Sequence, residues 1–139
     1  MFFKYDKDPG LLAPLTLAYI GDAVYELYVR TSLLAHGEVK VHTLHKDAVK
    51  RVNASTQAKL LERIDSLLTA EELVIVKRGR NAKSGQIPKN ADVIEYRKST
   101  GLEALIGYLF LQGKLERIKE LLAQIEKFME DEHPPEQLT

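Results

Sequence analysis

The segment from Pro14 to Gly37, PLTLAYIGDAVYELYVRTSLLAHG, constrains the fold more than any other part of the sequence. It opens on a proline, which suits the first turn of a helix, and closes on a glycine, which suits a helical stop. Between them apolar side chains recur on nearly every side of a 3.6-residue period, and a helix apolar all round is expected to be central and buried. Asp22 is the only acid between Leu11 and Tyr25. No uncharged apolar run is long enough to span a bilayer, so this helix belongs to a globular core with no membrane in view. With 139 residues and 45% apolar content there is enough chain for one such core. One domain over 1–139 is expected, with its core at about 11–129.

The rest of the chain is also helical in pattern, and the expected fold class is all-α. From Val41 to Ile64, apolar positions fall at helical intervals, with Asn53 and Ser55 near a break, giving one bent helix or two short ones. Thr69 followed by Glu72 is a capping-box arrangement, so a helix should begin there and fade near Gly79. Residues 79–90, GRNAKSGQIPKN, carry the glycine, proline and asparagine of an exposed loop. A helix resumes through STGLEALIGYLFLQG to Gly113. A last one places Leu115, Ile118, Leu121, Leu122, Ile125 and Phe128 on one face. Residues 130–139 read as a polar, disordered tail.

Charge is distributed unevenly. The formal net charge is zero, which by itself argues against a polyanion ligand. Yet Lys77, Arg78, Arg80, Lys83, Lys89, Arg97 and Lys98 crowd into one stretch against only Asp92 and Glu95, while the chain from Lys114 onward is acidic. Cysteine is absent, which excludes disulfides and thiolate metal sites. The N-terminus MFFKYDKDPG lacks the basic-then-apolar order of a signal peptide, so a cytoplasmic location is expected.

Two acids stand out against this background. Asp22 and Glu103 are each a lone carboxylate in an apolar helix, Glu103 being the only charge between Lys98 and Lys114. Removing an ionised carboxylate from water costs several kcal/mol unless it is paired or metal-bound. Pairing with a base on another helix, or a position where the helix meets solvent, would satisfy either acid alone. Both, however, adjoin small residues (Gly21 and Ala23; Gly101, Ala104 and Gly107) that would let two helices approach and bring the carboxylates together. Convergent oxygen ligands without cysteine suit Mg²⁺. His36, His42, His45 and His133 read as surface or packing residues rather than general bases.

These residues also form familiar motifs. LAYIGDAVYE resembles the ribonuclease III motif built on Leu-Gly-Asp-Ala-Val, and GLEALIGYLFL resembles that family's second helix, built on Glu-Ala-Leu-Ile-Gly. The short length, the linking KRGRNAK and PKNADVIEYRKSTG segments, and no double-stranded-RNA-binding domain resemble the Mini-ribonuclease III branch over residues 11–125. The resemblance implies a single helical endonuclease domain and a homodimer that cuts double-stranded RNA with Mg²⁺, Mn²⁺ being able to substitute. It further implies 5′-phosphate and 3′-hydroxyl ends and a task in maturation of large-subunit (23S) ribosomal RNA. Asp22 falls on the family's catalytic aspartate and Glu103 on its metal-binding glutamate. Two further family acids are replaced by Ala18 and Thr100, and Glu26, one turn beyond Asp22, is a candidate substitute. Arg78, Arg80, Lys83 and Lys89 are the candidate RNA-binding residues. The competing expectation is a catalytically silent RNA-binding module of the same fold.

Overall fold

The computed structural model describes residues 2–83 and 87–132, and among them every regular element is helical. A 3-10 turn at Pro9–Leu11 precedes α1 (Pro14–Ala35), which is followed by α2 (Val41–Val49), α3 (Ala54–Ile64), α4 (Ala70–Arg80), α5 (Val93–Leu111), α6 (Leu115–Leu122) and α7 (Gln124–Glu132). The local signals act where the sequence places them. Asn53 breaks the α2–α3 segment and accepts a hydrogen bond from the Thr56 N–H, capping the second of two helices. Thr69 and Glu72 make both bonds of the capping box at the start of α4. Gly113 ends the α5 region at φ +77, a left-handed conformation that glycine adopts without strain.

Three boundaries differ from expectation. Helix α5 starts at Val93, because Asp92 caps it by accepting from the Glu95 N–H. The last amphipathic segment is two helices parted at Ala123, although Ile118, Leu121, Leu122 and Ile125 still share one buried face. Residues 130–132 continue α7, and the rest of the expected tail lies outside the described residues.

The larger difference concerns which helix is central. From Ser99 to Leu109 every residue of α5 is buried except Glu103, and α1, α3 and α4 all pack against this helix. Helix α1 buries Leu17, Ala18, Gly21, Tyr25, Val29 and Leu33, a single stripe at helical spacing. Its other face leaves Leu15, Tyr19, Leu27 and Leu34 in contact with solvent, Tyr19 at 79% exposure. Apolar character all round therefore marks, in this helix, one face turned to the core and a second that none of the described residues covers.

The N-terminal segment and α4 are joined by Arg78, whose guanidinium donates to the carbonyls of Gly10 and Leu12, both at 2.8 Å. The α4 cap is further locked from α6: Arg117 donates from Nε to Glu72 Oε2 at 2.9 Å and from a terminal nitrogen to Glu72 Oε1 at 2.7 Å. Glu72 is only 5% exposed, and the Arg117 guanidinium holds its carboxyl below the ordinary value of 4.5.

Candidate active site

The crossing of α1 and α5 is set by glycine. A methyl carbon on Gly21 would stand 1.7 Å from the Glu103 carbonyl oxygen, and one on Gly107 would stand 1.9 Å from the Leu17 carbonyl oxygen. Neither position tolerates a side chain, so the two backbones touch at this point, and the contact is reciprocal. Asp22 follows Gly21 directly on α1, while Glu103 lies one turn before Gly107 on α5. The glycine contact thus delivers both carboxyls to one edge of the helix pair.

Asp22 is exposed and Glu103 half-buried. The Glu103 carboxyl is pushed up from 4.5 to about 8, first by burial, then by a hydrogen bond shared with Asp22, then by the negative charge of Asp22. Two carboxyls this close resist simultaneous ionisation unless a proton or a cation sits between them. Tyr25, one turn further along α1, is fully buried. Its hydroxyl donates to the Arg51 carbonyl at 2.7 Å, and burial, with Glu103 nearby, raises its pKa and keeps it protonated. This bond ties the α2–α3 corner to the helix that carries Asp22.

Ala18 is buried and Thr100 gives its hydroxyl to the Tyr96 carbonyl, so neither supplies a third acid. Glu26 pairs with Arg30 on its own helix, and its carboxylate is engaged there. Arg80, Lys83 and Lys89 are exposed. Arg78 differs from them: its charge counts toward the basic stretch, but its guanidinium is spent on the two carbonyls of the N-terminal segment. His36, His42 and His45 lie on the surface, and His133 lies outside the described residues. The sequence did not single out Tyr25, whose buried hydroxyl has no signature beyond an aromatic residue at a core position.

Among the described residues no group of three or more His, Asp or Glu side chains converges, which rules against a closed protein cage there. Two carboxylates at a water-accessible edge, with one of them strained toward protonation, fit a hard cation that keeps most of its waters, as Mg²⁺ does. Asp22 and Glu103 are the residues that would hold it.

Residues 15–114 match the model of the Ribonuclease III domain, which defines the class to which this fold and its helix pair correspond. A Mini-ribonuclease 3 of Brevibacillus brevis is 52% identical over 126 residues, 91% of this chain and 94% of the relative. One of Staphylococcus aureus is 49% identical over 124 residues, 88% of this chain and 92% of the relative. A crystal structure of a Fusobacterium nucleatum protein superposes with a TM-score of 0.78 at 37% identity, covering 88% of this chain and 98% of that one. The chain belongs to the Mini-ribonuclease 3 branch of the ribonuclease III family, and its enzymatic class is endoribonuclease.

Proposed function

We propose that the chain hydrolyses double-stranded RNA with Mg²⁺, or Mn²⁺ in its place, held between Asp22 and Glu103, leaving 5′-phosphate and 3′-hydroxyl ends. The observation that carries this reading is the meeting of the two carboxyls across the Gly21–Gly107 contact, with Glu103 pushed up to about 8. A bound divalent cation supplies an activated water and offsets charge on the leaving oxygen. Asp22 and Glu103 hold that centre at fixed spacing, and the glycine contact denies either helix the freedom to slide. Ala18 and Thr100 contribute no carboxylate, so two protein ligands leave the remaining coordination to water and substrate oxygens. The silent-module alternative gives no reason for two carboxyls to be kept in so unfavourable a contact.

Arg80, Lys83 and Lys89 supply the charge for an A-form duplex, which is recognised mainly by shape and by phosphate and 2′-hydroxyl contacts. Arg78 is left out of this set because of its bonds to Gly10 and Leu12. The working unit is a two-fold homodimer, one site per strand. Its support is the apolar stripe of Leu15, Tyr19, Leu27 and Leu34, left exposed among the described residues on the same helix that carries Asp22. The biological substrate in this reading is a precursor of 23S ribosomal RNA in the cytoplasm, the task implied by the family motifs around Asp22 and Glu103.

The test is cleavage of a long RNA duplex with Mg²⁺, with and without a chelator, followed by analysis of the ends. Mixed dimers carrying one Asp22→Asn subunit should nick one strand only. Chelator-resistant cutting, or efficient double-strand cleavage by the mixed species, would overturn the metal or the dimer respectively.

A further inference from the structure

Helices α4 and α5 meet at a second glycine pair. A methyl carbon on Gly79 would lie 2.8 Å from the Gly101 Cα and 3.1 Å from the Thr100 carbonyl oxygen. Where the chain leaves α4 beyond this contact, a cleft of about 260 Å³ opens against the first half of α5. Lys83, Tyr96, Arg97 and Thr100 line it. The wall is in register with the carboxyl pair: Tyr96, Thr100 and Glu103 follow one another at spacings of four and three, which places them on one face of α5. At a rise of about 1.5 Å per residue, the cleft runs from about 4 to about 10 Å along the helix from Glu103.

Among the described residues, the two cations of this cleft are uncommitted. Neither Lys83 nor Arg97 has an acidic partner among the described residues, whereas the neighbouring Lys98 is bonded to Glu62 and Arg78 to backbone carbonyls. Ammonium, guanidinium and phenol are the groups that hold nucleic-acid phosphates. The geometry points to this cleft as a phosphate subsite that receives one backbone phosphate of the cut RNA strand. A cleft this near the carboxyl pair places that phosphate within about three nucleotides of the scissile bond. The inference rests on Asp22 and Glu103 being the cleavage centre, and it assigns binding roles to Arg97 and Tyr96.

The test uses the full chain and a short RNA duplex cut at one position. With chelator present, Arg97→Gln and Lys83→Gln should each weaken duplex binding about five- to tenfold and lower its salt slope by about one, while Lys127→Gln on α7 leaves both unchanged. A series of duplexes with one neutral methylphosphonate linkage then locates the contact. In the wild-type chain, one linkage within about three nucleotides of the cut should weaken binding by the same factor, and in Arg97→Gln that linkage should cost nothing more. Wild-type affinity in Arg97→Gln, or losses that add at every linkage, would refute the subsite. Persistent cutting by Asp22→Asn would instead refute the cleavage centre, in a different variant and by a different signal.

Discussion

Replacing Gly21 by alanine should damage stability and activity together, and the structure sets the size of both effects. The added carbon would lie 1.7 Å from the Glu103 carbonyl oxygen, where ordinary contact begins at 3.4 Å. The obstacle is backbone in the central helix, so no side chain can swing aside. Helices α1 and α5 must therefore part by about 1.5 Å at the crossing, and a gap of even 0.5–1 Å forfeits a quarter to a half of each dispersion contact. Overpacking costs about 1–3 kcal/mol where neighbours can yield. With both partners rigid, about 4 kcal/mol is expected, or about 12 °C in melting temperature for a domain of this size. The same displacement separates Asp22 from Glu103, and a misplacement of about 1 Å can cost roughly a hundredfold in rate. Circular-dichroism melts and initial cleavage rates, measured where the variant is still folded, check both figures. Gly37→Ala is the control: φ is +107 and nothing lies within 4 Å of the added carbon, so only backbone strain of about 1 kcal/mol is expected, with full activity. A Gly21→Ala chain that melts within about 3 °C of wild type, or cuts at the wild-type rate, would refute the argument.

Glu72→Gln should cost about 3 kcal/mol near neutral pH by leaving Arg117 without its buried partner. Because the folded pKa of Glu72 is lowered, its stabilisation is present above 4.5 and lost as pH falls through the folded value, so the two melting curves should converge in acid. Glu103→Gln has the opposite sign. A carboxyl raised to about 8 contributes stability that is complete below 4.5 and lost as pH rises through about 8. Without divalent cation the variant should therefore melt above wild type at pH 9, with the gap closing toward pH 5; Mg²⁺ should raise the melting temperature of wild type and not of the variant.

Local chemistry made most of the fold legible in the sequence. Pro14, Asn53, the Thr69–Glu72 box and Gly113 each act locally on the backbone, and each ends or starts a helix where its residue type predicts. The Asp92 cap escaped because it lies inside a basic stretch whose charge dominates any reading of it. The parting of the last amphipathic segment at Ala123 left no mark, since its apolar positions keep one face across the break. The placement of α1 was misread for a physical reason. Periodicity reports which side chains are apolar, not what covers them, so Leu15 and Tyr19 on an uncovered face look the same as Leu17 and Tyr25 in the core. The meeting of Asp22 with Glu103 was legible through the small residues beside them, because glycine at Gly21 and Gly107 is what close backbone approach requires. The commitment of Arg78 was not, since its partners are carbonyls of Gly10 and Leu12, more than sixty residues away in sequence and indistinguishable there from any others.

If Asp22 and Glu103 serve one cation, a double-variant cycle of cleavage rates will reveal it. Asp22→Asn, Glu103→Gln and the combined variant are compared with wild type on one RNA duplex at saturating Mg²⁺, each first shown to be folded. Residues that act as a unit are strongly non-additive. Each single variant should lose at least about a thousandfold, and the combined variant should cut no more slowly than the slower single one. Near-normal turnover by either single variant, or losses that multiply in the combined one, would contradict a shared centre.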